Sequence, residues 1–488
     1  MTASRLPLLI AGIAALTASL SAQTFDSTIY NRGIRGTVGL IAGTTSNLTT
    51  VGGAYGPAAP ATEFVTTSAG AAWTPALPPG STTTTNPDTW QQLANGTIVS
   101  GDPLGVVRQW NVASGAPTQL GAPMPAYIRT IGEHAGNLVV GGAFTPLGGI
   151  ASLLSWNAAA GQWQPYGSVG GVNVTGTVFG ALPYRGDMIC YGPTFQAPGI
   201  GSTMLARFNG AAWTAIPTIP TTSTQPLEFA AVLANGDIVA MHRTPGLGTT
   251  PPYDLYRLSN GVWKHIAKQI DAPVRALLEL PDGDLLIGGQ FTTVNFTGAT
   301  GLARYDGNSW SAVANVQGSV FALHMFADDV LGVGGNFTAV NGITAIGIAG
   351  FRPSVPGMVS PVGAGCVGLG GLNTLAPINQ PLLGRTFSSL ATGLGNPAMV
   401  VMARSSARLP SPVSLSTIFS TGLPNCFVYG TSELLDVILA PGPGTTTLSF
   451  AIPADPLFLG YQLWQQATYF ETTEVTATNA QSVVSGKF

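Results

Sequence analysis

The sequence predicts an all-β chain built of repeated four-strand units followed by a second β domain, and three observations predict it. A pair of glycines inside an apolar strand recurs at Val140-Gly141-Gly142-Ala143-Phe144-Thr145, Ile287-Gly288-Gly289-Gln290-Phe291-Thr292 and Val333-Gly334-Gly335-Asn336-Phe337-Thr338. A turn glycine precedes most copies by a short fixed step, and a tryptophan follows in a second hairpin. After Phe351-Arg352-Pro353 the period ends, and Pro353, Pro356 and Pro361 mark a linker into a region of short alternating segments separated by Pro and Gly.

The chain opens with Met1 to Arg5, an apolar run from Leu6 to Leu20, and the small-residue exit Ser19-Leu20-Ser21-Ala22. Residues 1–22 therefore read as a secretory signal, and the mature chain as exported and destined for secretion or the cell surface. No later run of about 18 uncharged apolar residues predicts a membrane-spanning helix. Lys+Arg 18 against Asp+Glu 21 gives a net charge of −3, which excludes the basic footprint of a nucleic-acid reader. Mean hydropathy of +0.32 excludes a disordered chain.

From residue 23 the repeat sets the elements. The last two strong anchors are offset by 46 residues and the first two by 147, three steps of 49. Weaker copies at Val51-Gly52-Gly53, Val99-Ser100-Gly101, Cys190-Tyr191-Gly192 and Val239-Ala240-Met241 fill the series. Turns at Ser46-Asn47, Gly96, Gly136, Gly186, Gly236, Gly283 and Asp328-Asp329 lie between the first and second strand of each unit. Asn95-Gly96, Asn235-Gly236 and Asp282-Gly283 are expected to form two-residue hairpins with both positions at φ > 0. Trp73, Trp163, Trp213, Trp263 and Trp310 are expected to fill the space between neighbouring sheets. Such units of about 40 to 50 residues are the signature of β-propeller blades. Residues 23–353 read as seven blades, with six as the competing count. The seventh unit lacks its Trp hairpin, and a segment near Phe25 to Tyr30 is expected to complete it and remove the open edge.

The glycine pair and the later Tyr and Trp resemble the kelch family and related secreted repeats carrying Gly-Gly-x-Phe-Thr, over roughly residues 24 to 353. The Tyr305 to Trp310 spacing is shorter than in kelch, and three units lack the pair. The resemblance implies the fold and hardly any function. Residues 354–488, with Leu423-Pro424-Asn425-Cys426, Ile452-Pro453-Ala454-Asp455-Pro456 and Gly460-Tyr461-Gln462-Leu463-Trp464, are similar to a C-terminal module recurrent on exported bacterial proteins. A β-sandwich is expected there. Of the three cysteines, Cys366 and Cys426 are paired as a disulfide, and Cys190, in an apolar run without a basic neighbour, is an inert buried thiol.

Familiar motifs resolve into turn chemistry. Gly363-Ala364-Gly365-Cys366-Val367-Gly368 matches a dinucleotide fingerprint as text but follows a Pro-rich linker and opens no helix. Tyr305-Asp306-Gly307-Asn308-Ser309-Trp310 is similar to the sialidase Asp-box, yet Asn209-Gly210 and Asn260-Gly261 occupy the same slot, so it reads as hairpin chemistry. Arg207, Arg257 and Arg304 recur with the repeat and are expected to make hydrogen bonds between blades. Asp282-Gly283-Asp284 and Asp328-Asp329 read as solvated turn carboxylates, since calcium needs six or more oxygens. The four histidines, His134, His242, His265 and His324, fall in different slots, which argues against a metal site. A thioether Tyr–Cys copper centre is excluded because Cys190 and Tyr191 are strand neighbours facing opposite ways. No cofactor is expected.

Candidate site residues are the polar departures from the repeat. His242-Arg243 end a second strand where other units carry glycine, and Glu228, Arg275 and Asp88 each lie eight residues before a turn glycine, at the start of an inner strand. Inner-strand ends reach the mouth of a propeller channel, so Asp88, Glu228, His242, Arg243 and Arg275 form the candidate ligand-binding cluster. The competing reading is a salt bridge between Glu228 and Arg275 with a surface His-Arg pair. The function expected is a non-catalytic exported propeller that binds a glycan, a peptide or a cell-surface protein, with a C-terminal attachment or sorting module. The alternative is a carbohydrate-active lyase or hydrolase using channel-mouth carboxylates.

Overall fold

The computed structural model describes residues 89–487 apart from 112–116, 125, 145–150, 221–225, 245–251, 327–329 and 353–354, together with the strands Thr24–Asp26, Gly36–Thr45, Leu48–Tyr55, Thr62–Ala69 and Ala72–Thr74. Residues 1–22, read above as a signal segment, and the candidate Asp88 lie outside the described residues. Within them the chain is all-β, with two short 3-10 turns and no α-helix.

The strands form antiparallel units in chain order. Unit one spans 36–74, unit two 89–119, unit three 126–165, unit four 175–215 and unit five 227–270. Unit six begins at Val274–Glu279 and ends in the first half of the long strand Trp310–Met325, whose second half opens the next set. That set continues through Leu331–Val340 and Ile348–Arg352 and is completed by Thr24–Asp26, with Phe25 opposite Phe351. The first strand of unit one also packs on this last set, so the array closes on itself. Each interior lies between sheets. One buried cluster joins Val239 and Leu255 of unit five to Leu285 and Trp310 of unit six, and another joins Val139 and Leu153 of unit three to Met188 and Phe208 of unit four.

The glycine pair has two separate causes. A Cβ on the second glycine, as at Gly335, would fall on the Ser319 carbonyl oxygen of the inner strand. One on the first, as at Gly288, would strike the Val320 side chain of the following unit. Opposite the pair the inner strand bulges: the register steps from Val274 to Ala276 against Gly289 and Gly288, leaving Arg275 as the extra residue. The same step leaves Arg129 extra in unit three, Glu228 in unit five and Phe321 in the last set.

The tryptophans join the units by hydrogen bonds as well as by packing. Four of them donate the indole Nε1–H to a carbonyl of the preceding unit, Trp163 to Leu120 at 3.0 Å and Trp213 to Gly167, Trp263 to Pro217 and Trp310 to Ile266 at 2.7 Å. Two expectations are corrected. The Asn-Gly and Asp-Gly turns are longer than two residues: Leu233 N–H donates to Asp237 O, and only the glycines at 96, 236 and 283 enter positive φ, at 84°, 86° and 88°. Asn235 Oδ1 instead accepts from the Asp237 N–H at 2.9 Å, an Asx cap that leaves its own backbone in the ordinary region. The repeated arginines bind within their own sheet, Arg207 to Asp187, Arg257 to Asp237 and Arg304 to Asp284, the aspartate being the residue after the turn glycine.

The C-terminal region has a sheet ordered Met358–Val362, Ala480–Val484, Gln462–Phe470, Met399–Ser405 and Leu434–Leu439, and a second of Thr374–Pro377, Thr386–Leu394 and Gly444–Ala451. Leu375, Ala391 and Leu448 of the second share one buried cluster with Val400, Met402 and Tyr469 of the first. Ser389, Gln465 and Gln481 bridge the two inside this core by hydrogen bonds of 2.8 to 3.0 Å. Cys366 and Cys426 form a disulfide with Cα atoms 5.2 Å apart, in a cluster with Leu415, Val475 and Ala477. Cys190 is free and buried, and burial pushes its thiol pKa up, as expected of an inert group.

The region docks on unit six and the last set through Leu382, which joins the buried cluster of Leu280, Leu331 and Phe351. Asp282 and Asp284, expected to be solvated, are instead largely buried there, because Arg304 and Lys487 close over them.

Candidate functional site

The inner strands surround two overlapping cavities of 840 and 590 Å³ that share Gln91, Leu182, Phe229 and Arg275. Together they form the central channel. At the end where the inner strands begin, the bulges decide what the wall presents, because a bulge interrupts the in-out alternation and re-aims the extra side chain. Arg129 and Arg275 line the smaller cavity with Phe179, Tyr191 and Phe229, and Phe321 lines the larger.

Three of the candidates come together. Arg243, cross-strand to Tyr253, places Nη1 3.9 Å from Glu228 Oε1 and its guanidinium carbon 5.9 Å from the Tyr253 ring centre. Burial raises the Tyr253 hydroxyl pKa, and the neighbouring Glu228 charge and its hydrogen bond raise it further against the pull of Arg243 and Arg275. Tyr253 therefore marks the point that Glu228, Arg243 and Arg275 share. His242 is fully buried, facing Leu227 on one side and Asp254 on the other across the strands, and stands behind the mouth. The Glu228 to Arg275 bridge of the competing reading is replaced by the Glu228 to Arg243 pair.

Arg129 is the residue that sequence reasoning missed. Its guanidinium carbon lies 4.0 Å over the Tyr127 ring and 5.4 Å over Phe179. Counting back from the turn glycine finds Glu228 and Arg275 but reaches Ile128 in unit three, because its turn, Ala135-Gly136 at φ 49° and 75°, is a true two-residue hairpin and shorter than theirs. Counting across from the glycine pair would have found it. Tyr191, in the place of a first glycine, lies over Gly180, and burial pushes its hydroxyl up to about 12 even beside Arg275.

At the opposite end the carboxylates serve the scaffold. Glu133 accepts from the Ala94 N–H at 2.8 Å and Glu279 from the Ala234 N–H at 2.7 Å, each fixing the turn of the preceding unit. Among the described residues no three His, Cys, Asp or Glu side chains gather as a metal site.

No family model matches the sequence, and no curated protein does either. Among solved structures, the extracellular domain of a putative hybrid two-component system from B. thetaiotaomicron is similar at 13% identity and TM-score 0.50, over 93% of this chain and 53% of that one. The extracellular domain of a putative one-component system from the same organism gives 12%, 0.49, 94% and 54%. The WD40 β-propeller domain of Doa1 is similar at 12% identity and TM-score 0.43, over 66% of this chain and 94% of that one. The chain thus spans about half the length of the first two, and the likeness to the first is one of fold. With the closed array of antiparallel sheets around a channel, the class is an all-β chain of propeller type.

Proposed function

We propose that the chain is an exported, non-catalytic β-propeller of seven kelch-like blades whose channel mouth binds a glycan, a peptide or a cell-surface protein. The observation that carries this reading is that bulges at the start of three inner strands turn out Arg129, Glu228 and Arg275, with Arg129 and Arg275 lining one cavity and Glu228 paired with Arg243 beside Tyr253. Pockets that combine aromatic walls with a few convergent polar groups are the usual form of a ligand site. The count of seven rests on seven successive four-strand sets, the last completed by Thr24–Asp26. Residues 23–353 then form the propeller, and 354–488 a β-sandwich whose two sheets share one core and which serves attachment or sorting. Export agrees with a buried disulfide, and no helix among the described residues is long and apolar enough to cross a membrane. His242 supports the mouth from within the sheet, and Asp88, the remaining sequence candidate, lies outside the described residues.

The test is an array of glycans and peptides probed with the full chain and with Arg243→Ala and Arg275→Ala. Each substitution should weaken binding by about tenfold or more, the scale of a lost charge-assisted hydrogen bond. Unchanged affinity in both would move the site elsewhere. Turnover of a polysaccharide, abolished by Glu228→Gln, would make the protein an enzyme.

A further inference from the structure

We infer that the channel mouth is built for an anionic ligand, and that this ligand is a carboxylated polysaccharide, one bearing a uronate on successive sugar rings. The inference rests on the binding reading above and names its ligand class. The charges at the mouth do not balance. Arg243 at the mouth pairs with Glu228, and Arg108, Arg207, Arg257 and Arg304, on third strands away from it, each hold a carboxylate. Arg129 and Arg275 line the same 590 Å³ cavity, are exposed, and have no carboxylate partner among the described residues. Glu133 and Asp187, on the same cavity toward the turns, are held by the Ala94 N–H and by Arg207, so where the inner strands begin the two unbridged guanidinium groups raise the local concentration of anions.

Geometry narrows the class. Arg129 holds its guanidinium carbon over the Tyr127 and Phe179 rings, and a guanidinium offers a fork of N–H donors that a carboxylate accepts in bidentate fashion. Arg129 and Arg275 belong to units three and six and approach the cavity from different sides of the array. A ligand with carboxylates repeated along its length can engage both. Phe179 and Phe229 supply apolar walls for the C–H faces of sugar rings, while Thr89, Gln91 and Gln92 supply hydroxyl and amide groups for sugar hydroxyls. The cavity lies within the range of about 300 to 1,000 Å³ that small-ligand sites occupy. An acidic peptide offers the same charge on flexible side chains, whose ordering on binding costs conformational entropy. Carboxylates fixed to rings avoid most of that cost, which favours the uronate.

The experiment is calorimetric titration of the full chain with oligogalacturonate of four to six residues, its methyl ester, neutral malto-oligosaccharide and poly-glutamate. The expected result is binding to the free acid, loss of at least tenfold on esterification, and a similar loss in Arg129→Gln and Arg275→Gln. Arg408→Gln, on the C-terminal region beside Trp464, should be without effect and controls for net charge. Circular dichroism confirms that the variants fold. Binding of the ester or the neutral sugar as tightly as the acid, yet still lost in Arg275→Gln, would overturn the anionic class while leaving the mouth as the site. Tighter binding of poly-glutamate would overturn the polysaccharide in favour of a peptide. Failure of every probe, or binding untouched by either substitution, would overturn the inference, and the array tests the broader reading separately.

Discussion

At Gly335 the second strand of the last set comes so close to the Ser319 carbonyl that no side chain fits. Alanine there must push the inner strand away and flatten the bulge, so Gly335→Ala should cost about 2 to 4 kcal/mol, the scale of a strained core substitution. Gly298 provides the control, since a Cβ there meets nothing within 4 Å and its φ is ordinary. Gly298→Ala should stay within about 0.5 kcal/mol of wild type. Urea unfolding of both variants checks this, and equal stabilities would show that the close approach is not what retains the glycine. The pair was legible in the sequence as a repeat, but its purpose was not. What faces a glycine is decided by cross-strand register, and the register depends on the turn length, which differs between units three and five. That is why Glu228 and Arg275 were legible and Arg129 was not.

Between neighbouring sheets, one indole hydrogen bond recurs, and its worth should follow its burial. Trp213 is buried and stacks on Phe208 with ring centres 4.9 Å apart. Trp213→Phe keeps an aromatic ring but strands the Gly167 carbonyl, at a cost of about 1 to 3 kcal/mol. Trp263 is more exposed, so Trp263→Phe, with water able to replace the donor, should cost about 0.5 to 1 kcal/mol. Thermal unfolding ranks the two, and the reverse order would place the energy in packing alone. Within a sheet, burial of Asp237 would raise its carboxyl, but hydrogen bonds from Arg257, Asn235 and Ser259 outweigh it and hold the pKa below its usual value. A carboxyl depressed in the folded state stabilises above its unfolded pKa of about 4 and loses that contribution as pH falls through the folded value. Wild type should therefore lead Asp237→Asn by a constant margin from pH 7 to about 5, and the margin should close at lower pH. Urea midpoints across that range decide it. The arginines were legible as repeat residues, yet their partners were misassigned to the next sheet. Arg and Asp recur together 20 residues apart at 207/187, 257/237 and 304/284, a paired period that a search for single recurring residues passes over.

Across the whole molecule, two regions separated by a proline linker meet at a buried charge cluster whose members no local pattern connects. In the sequence the repeat stops at Phe351, but Lys487 reaches back to a turn some two hundred residues earlier in the chain. Its Nζ lies 3.5 Å from Asp282 and 3.3 Å from Asp284. Burial raises the Asp282 pKa, Arg304 pulls against it, the Asp284 charge adds to it, and Lys487 pulls against it again. Removing one cation from such a cluster leaves negative charge uncompensated in a partly dry interface, so Lys487→Met should destabilise docking of the C-terminal region by about 1 to 3 kcal/mol at neutral pH. The sign of the pH dependence follows from the direction of the shift. A carboxyl whose folded pKa is raised favours the folded state below its unfolded value and loses that advantage as pH rises through the folded one. Lys487→Met raises Asp282 further, so the penalty should be largest at neutral pH and shrink as Asp282 takes up its proton toward pH 4. Calorimetric scans at pH 4 and pH 7 measure this as the separation between unfolding of the two regions. A penalty equal at both would mean that the apolar contact of Leu382 with Leu280, Leu331 and Phe351 carries the docking and that the charges merely accompany it.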